Sequence, residues 1–311
     1  MVTAILILNY NTASDTVACI QSIEAHNSAP VKFIVVDNGS TDKEGIRRLD
    51  EFFTQSQKGY LRLADKDTPT TELPYFTFLV SSRNEGYARG NNKGLRLANE
   101  DPSIQNILIL NSDVLFSEDI LPTLSLFQAG QKDCGLVTPL VMSRRGTIDH
   151  CCARKAPTNW DIILPFLLFN RNKFHLLSKM DKRLKILKAH PELKTLPVFP
   201  VEIPSGACMM IDKKLFHEIG NFDPNTFLYY EELILYKKIK RVGRINYCVP
   251  GVQCTHFGAE STVQLSSTFL KKCNLDSADY YLRNYGRLSL TQSLTWGLVK
   301  RMWQWVYFRN K

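Results

Sequence analysis

Four short apolar runs, each closing on a polar turn and leading into a helical pattern, leave this 311-residue chain few folds to adopt. The runs are Thr3–Leu8, Val31–Val36, Phe76–Val80 and Ile107–Leu110. They carry β-branched residues and show no polar alternation, as expected of strands buried on both faces of a parallel sheet. Between them lie a helix capped by Ser14 with an apolar face through Val17, Ile20 and Ile23, a second through Ile46, Leu49 and Phe52, and a third over Lys93–Asn99. Residues 55–74 read as polar and irregular. The order β-α-β-α-β-α-β predicts an α/β fold built on a doubly wound, mostly parallel sheet flanked by helices.

Further on, Ser117 is expected to cap a helix to Gln128, and Gly135–Val137 to form a short strand. Residues 143–200 break the alternation. There Ile162–Phe169 is an apolar run interrupted by Pro165, too short to span a bilayer. His175–His190 reads as a basic amphipathic helix with Leu176, Met180, Leu184 and Leu187 on one stripe. Regularity resumes with a buried strand entered through Ser205-Gly206-Ala207, a helix from Tyr229 to Arg241, and a strand over Ile245–Val249.

The net charge of +9 is unevenly placed. Residues 144–194 hold twelve Lys/Arg against four Asp/Glu, and residues 265–311 hold eight against two. Localised positive charge points to an anionic partner, a membrane face or a nucleic acid, and no recognised nucleic-acid module accompanies it. The eight cysteines show no CxxC pairing and mostly sit in apolar segments, so reduced, buried thiols are expected and a zinc site is not. The start, Met1-Val-Thr-Ala-Ile-Leu, lacks a basic region and a small-residue cleavage site, and is not read as a signal peptide.

The strand ends carry the polar groups. Asn9-Tyr10-Asn11 follows the first strand, Asp37-Asn38-Gly39-Ser40-Thr41-Asp42 the second, and Arg83-Asn84-x-Gly86-Tyr87-Ala88-x-Gly90-Asn91-Asn92-x-Gly94 the third. Asn111-Ser112-Asp113 follows the fourth. Ligands of open α/β sheets bind at this carboxyl edge, where a carboxylate can hold a metal or a sugar hydroxyl. Each motif alone is equally a turn and helix cap. The glycines at 86 and 90 match neither the dinucleotide fingerprint nor a phosphate-binding P-loop.

Read together with Ser205-Gly206-Ala207, Gly220-x-Phe222-Asp223 and Glu231-Glu232, these motifs resemble the family-two inverting glycosyltransferases. The rhamnosyltransferase-like branch, which builds bacterial surface polysaccharides, is the nearest match. The resemblance covers about residues 3–262 and implies a GT-A fold, a Rossmann-like nucleotide-binding half merged with an acceptor-binding half. It implies Asn9, Asn11, Asp37 and Asn38 beside the nucleoside, Arg89 and Asn92 at the ribose and diphosphate, and Asn111 where the family's first carboxylate often stands. Asp113 and His256 would be ligands to a divalent metal, Mg2+ or Mn2+, bridging the donor phosphates. Glu232 would be the catalytic base, with Glu231 as the fallback. The family usually has Asp at the position of Glu232 and often a further Asp at that of Ile234.

The implied partners are a nucleotide-diphosphate sugar donor, with dTDP-L-rhamnose as the first choice, and a glycan or polyprenyl-diphosphate-linked acceptor. A UDP-linked galactose, N-acetylhexosamine or galactofuranose donor stays open, as does a sugar-nucleotide-binding module without catalysis. A nucleotidyltransferase would place a Gly-rich loop after the first strand, where this chain has Asn9-Tyr10-Asn11-Thr12. The division expected is a catalytic domain over 1–264 and a helical extension over 265–311. The former splits into a donor half at 1–142, a basic insertion at 143–200 and an acceptor half at 201–264. Trp296, Trp303 and Trp305, interleaved with Lys300, Arg301, Arg309 and Lys311, suit an anionic membrane surface, the alternative being a helix that packs its tryptophans on the core. A cytoplasmic protein, peripheral on the inner face of the membrane, is the corresponding location.

Overall fold

The computed structural model describes residues 1–67, 69, 72–168, 185–258 and 266–308. In chain order the first half runs β1 (Val2–Asn9), α1 (Ala13–His26), β2 (Val31–Asp37), α2 (Lys43–Gln55), β3 (Tyr60–Ala64), β4 (Phe76–Val80), α3 (Tyr87–Glu100), β5 (Ile104–Asn111) and β6 (Val114–Leu115). It continues with α4 (Leu121–Gly130), β7 (Cys134–Ser143), β8 (Ala153–Arg154) and α5 (Asn159–Leu167). Then come α6 (Ile186–Ala189), a 3₁₀ turn at Pro191–Thr195, β9 (Phe199–Val201), β10 (Ile203–Pro204), β11 (Cys208–Asp212) and α7 (Lys213–Glu218). The chain ends with α8 (Glu231–Arg241), β12 (Ile245–His256), α9 (Ser267–Asn284) and α10 (Leu290–Phe308).

A ten-stranded sheet with the order β3-β4-β2-β1-β5-β11-β7-β12-β6 and β9 beside β12 forms the centre. The first five strands are parallel throughout, with β1 pairing β2 and β5, and β4 pairing β2 and β3. β11 then enters antiparallel between β5 and β7. Alternate residues separate the two faces. Ile5, Ile7, Phe33, Val35, Leu108 and Leu110 pack on one side under α1 and α2. Ala4, Leu6, Ile34, Val36, Ile107 and Ile109 pack on the other under α3 and α7. Helices on both faces explain the unbroken apolar runs of the sequence. A third cluster joins α5, α8, α9 and α10 through Ile163, Phe166, Ile234, Tyr281, Leu282 and Trp296.

Several elements differ from the sequence reading. Residues 60–64 form the edge strand β3 within a stretch expected to be irregular; only Leu63 of the five is buried, so no apolar run marks it. Helix α1 begins at Ala13 with Thr12 as its cap, and the Thr12 hydroxyl turns to Asn9 Oδ1 (3.1 Å) and Ser112 Oγ (2.9 Å), so Ser14 lies inside the helix. Helix α4 starts at Leu121, with Pro122 fitting its first turn, rather than behind Ser117. β7 runs to Ser143 and β12 to His256, because each finds the other as a parallel partner. Most of the helix expected over His175–His190 lies outside the described residues, and its described end is the single turn α6. All eight cysteines are unpaired thiols, and seven are buried.

Candidate active site

The carboxyl ends of β1 and β5, the amino end of α8 and the end of β12 meet at a cleft of about 630 Å³, within the range of small-ligand sites. Asn111, Asp113, Glu231, Glu232 and His256, five residues chosen from the sequence, line it together.

His256 stands between two carboxylates. Its Nδ1 donates to Asp149 Oδ2 at 3.1 Å, its Nε2 lies 3.4 Å from Asp113 Oδ1, and Asn111 Nδ2 is 3.4 Å from the same Nε2. Burial disfavours the charged ring, but the hydrogen bonds and charges of Asp113 and Asp149 outweigh it and lift the pKa to about 10. The other oxygen of Asp113 accepts from the Gly258 amide at 2.9 Å, fixing the carboxylate against the chain that leaves β12. Carboxylate and imidazole donors facing each other suit a divalent ion, which would take the place of the shared proton. Asp149 behind the ring is the orienting carboxylate such ligands ordinarily have. The residues therefore fit Mg2+ or Mn2+. Asp149, His150 and Cys151 also bring one donor atom each to within 4.8 Å of one another, but the Asp149 oxygens already serve His256 and the Cys151 amide.

The acidic pair opens α8 after a strained turn. Tyr229 and Tyr230 both adopt left-handed backbone, with φ of 76° and 72°, costly for aromatic residues and held by the surrounding packing. Tyr230 packs on Tyr281, with ring centroids 5.7 Å apart. The turn aims the first helical residues into the cleft. Glu232 reaches over Gly206, where an added Cβ would meet the Glu232 carboxylate and push it from this position. Glu232 keeps 26% side-chain exposure, and Arg154 Nη2 is 3.9 Å from its Oε2. Glu231 is buried beside it, and the Thr226 hydroxyl donates to its Oε1 at 3.4 Å. Burial, reinforced by the neighbouring Glu232, raises its pKa from 4.5 to about 8.

This shift makes Glu231 a pH-dependent stability element. The folded chain keeps a proton that the unfolded chain releases, so the stabilisation is complete below about pH 4.5, declines above it and is gone beyond about pH 8. Glu231→Gln should therefore gain on wild type as pH rises from 5 to 9, by roughly 4 kcal/mol. Thermal unfolding at a series of pH values measures this, and parallel curves for the two proteins would refute it.

The remaining residues selected from the sequence build the walls behind the cleft and do not line it. Asn9 Nδ2 donates to Asp37 Oδ2 at 2.7 Å, and Ser40 donates to both oxygens of the fully buried Asp37, from its hydroxyl at 2.5 Å and its amide at 3.0 Å. Asn11 Oδ1 accepts from the amides of Thr41 (2.8 Å) and Asp42 (3.1 Å). Asn38 holds the β4–α3 loop through Asn84, Glu85 and Gly86. Arg89 Nε donates to Pro224 O at 2.8 Å, and Asn92 exchanges bonds with both backbone groups of Phe222. These two thus tie α3 to the loop preceding α8. Gly86, at φ 85°, lets that loop approach closely, since a Cβ there would fall 2.2 Å from Phe227 O. Tyr10, Tyr87, Arg154 and Lys155 line the cleft without having been singled out from the sequence. Nor was Asp149: its segment has no periodicity, and a neighbouring Asp-His pair in a basic stretch is a weak signal.

The fold is that of the GT-A glycosyltransferases. GalNAc-T7, solved with UDP, GalNAc and Mn2+, superimposes with a TM-score of 0.58 at 15% identity, covering 83% of this chain and 44% of that one. The mannosyltransferase PcManGT from Pyrobaculum calidifontis, solved with GDP-Man and Mn2+, gives 0.51 at 14% identity over 98% of this chain and 75% of its own. Residues 4–220 match the model of Glycosyl transferase family 2, and the chain belongs to that family. Among curated relatives it is 25% identical over 231 residues to the low-salt glycan biosynthesis hexosyltransferase Agl10 of Haloferax volcanii, covering 74% of this chain and 59% of the relative. It is 22% identical over 249 residues to the N-acetylglucosaminyl-diphospho-decaprenol L-rhamnosyltransferase of Mycobacterium tuberculosis, covering 78% of this chain and 71% of the relative. The chain thus spans well under two thirds of the Haloferax protein's length.

Proposed function

We propose that the protein is an inverting glycosyltransferase that moves a sugar from a nucleotide-diphosphate donor, dTDP-L-rhamnose in the first instance, to a hydroxyl of a lipid-linked or polysaccharide acceptor in cell-surface glycan synthesis. The observation that carries this reading is the meeting of Asp113 and His256 with Glu232 in one cleft. The donor's nucleoside lies against Tyr10 and the loops braced by Asn9, Asn11, Asp37 and Asn38, while Arg89 and Asn92 act through the loop they hold. Asp113 and His256 would hold the divalent ion, with Asp149 orienting the ring, and the ion would offset charge on the departing nucleoside diphosphate. Glu232 takes the proton from the acceptor hydroxyl as its oxygen attacks the anomeric carbon from the face opposite the leaving group. Glu231, held protonated near neutral pH, is the poorer base and packs the turn beneath.

Thermal shift with dTDP, UDP and GDP, with and without Mn2+, and hydrolysis of the matching nucleotide sugars test the donor. Stabilisation by dTDP above UDP supports the rhamnosyl donor, and the reverse order transfers the reading to a UDP-sugar. Binding of nucleotides without any turnover would leave a sugar-nucleotide-binding module.

The proposal extends to a peripheral site on the inner face of the cell membrane. Among the described residues no helix is long and apolar enough to cross a membrane. In α10, Trp296 is buried against Phe166 and the Trp303 indole donates to Phe166 O at 2.8 Å, so these two tryptophans serve the core. Leu290, Leu294, Leu298 and Trp305 occupy the opposite stripe and are 63–77% exposed, with Arg301 among them. An exposed apolar stripe beside cations suits the interface of an anionic bilayer. Leu294→Asp with Leu298→Asp should reduce flotation with phosphatidylglycerol vesicles about tenfold or more, each buried leucine being worth roughly 1.5–3 kcal/mol. Unchanged flotation would remove the membrane from the proposal.

A further inference from the structure

The cleft contains a pair of cations that the donor and ion ligands do not explain. Arg154 lies on the two-residue strand β8, paired with β10, and is held there by a 3.3 Å bond from its Nη2 to Pro204 O. The pairing brings its guanidinium alongside Glu232, at 3.9 Å from Oε2, beyond hydrogen-bond reach. Its Nε is buried and has no hydrogen-bond partner among the described residues. Lys155 follows on the open side of the cleft. Among the described residues, the only other basic side chain in the lining is His256, which is engaged by Asp113 and Asp149.

Next to the two cations the wall turns apolar. Helix α5 contributes Ile162, Pro165 and Phe166 to the lining, and Trp160 and Leu167 of the same helix are exposed. Asp161, the acid of this helix, is spent on its own capping box with Thr158. α10 packs on α5 through Trp296 and Trp303, so the exposed leucine stripe belongs to the same packed unit. A guanidinium with spare donors, a lysine and then a hydrocarbon-lined helix match a phosphate that carries an apolar chain.

Resting on the glycosyl-transfer reading, we infer that Arg154 and Lys155 form an anion subsite on the acceptor side of Glu232, which takes the phosphate of an acceptor linked through phosphate or diphosphate to an apolar chain. The subsite orients the acceptor sugar toward Glu232 by holding what lies behind it. The same cations could instead meet the donor's diphosphate, and the test separates the two sources.

Binding of farnesyl diphosphate and of farnesol to the full chain is measured by titration calorimetry for wild type, Arg154→Gln and Lys155→Glu. Wild type should prefer the diphosphate by about tenfold or more, as charge-assisted hydrogen bonds allow, and both variants should lose that preference while binding farnesol as before. Affinity for dTDP and UDP in the presence of Mn2+ should stay within about twofold in both variants, since charge-assisted bonds to the donor would cost more than that. Equal binding of the two lipids by wild type overturns the inference, and so does a parallel loss of nucleotide affinity, which would assign the cations to the donor. Lys155 is exposed, so Lys155→Glu decides the matter if Arg154→Gln does not fold. Nucleotide-sugar hydrolysis by wild type, followed separately, shows whether the transfer reading itself fails.

Discussion

Glu232→Gln should lower the turnover of sugar transfer by about 10²–10⁴-fold, the usual contribution of a positioned general base, while donor binding stays within a factor of about two. The amide has the shape of the carboxylate and fits the space that Gly206 leaves, so the cleft keeps its form. What is lost is the ability to accept the acceptor's proton. Glu231→Gln should cost far less at neutral pH, because the buried side chain already holds a proton there. Initial rates against donor and acceptor, together with thermal shift by the nucleotide, separate the loss of kcat from a loss of binding. A Glu232→Gln enzyme with unchanged kcat would mean that another group takes the proton.

Asp113→Asn should weaken Mn2+ binding by about 100-fold or more, beyond the 10–100-fold typical of a residue that only orients a ligand. Asparagine can still accept the 2.9 Å hydrogen bond from the Gly258 amide, so the end of β12 keeps its anchor. The charge facing His256 Nε2 is what disappears. Asp149→Asn provides the comparison. It leaves both ligands in place and loosens only the far side of the ring, so its effect on Mn2+ should fall within the 10–100-fold range. Manganese titration followed by paramagnetic resonance measures both without relying on activity. If Asp113→Asn bound Mn2+ as wild type does, the ion would have to sit elsewhere, the Asp149-His150-Cys151 group being the candidate.

The features readable in the sequence share one property: each is local. Strands β1, β2, β4 and β5 announce themselves as continuous apolar runs because both of their faces are covered. Asp113 stands out because it ends such a run, whereas Glu231-Glu232 takes its role from the family resemblance, since two carboxylates opening a helix are by themselves equally a favourable helix start. Where the signal was equally local but the partner distant, position was legible and environment was not. Asn9, Asp37 and Asn38 stand at strand ends as expected, yet their side chains are consumed by Ser40, Thr12 and the β4–α3 loop. Arg89 and Asn92 likewise find their partners 130 residues or more away, at Phe222 and Pro224. The tryptophans of α10 divide because α5 packs on the side that carries Trp296 and Trp303, while Trp305 stands on the other and is 64% exposed.

The order of buried strands and turns was enough to specify an α/β sheet and the edge at which its ligands bind, since two-sided burial and strand-end chemistry are written in neighbouring residues. Tertiary structure alone decided that His256 stands between Asp113 and Asp149, whose positions in the chain are 36 residues apart. It decided that Arg154 meets Glu232 across the β8–β10 pair, and that two left-handed tyrosines aim the acidic pair into the cleft. Each of these depends on a contact between segments distant in the chain, and such a contact forms only when the sheet and its packed helices bring them together.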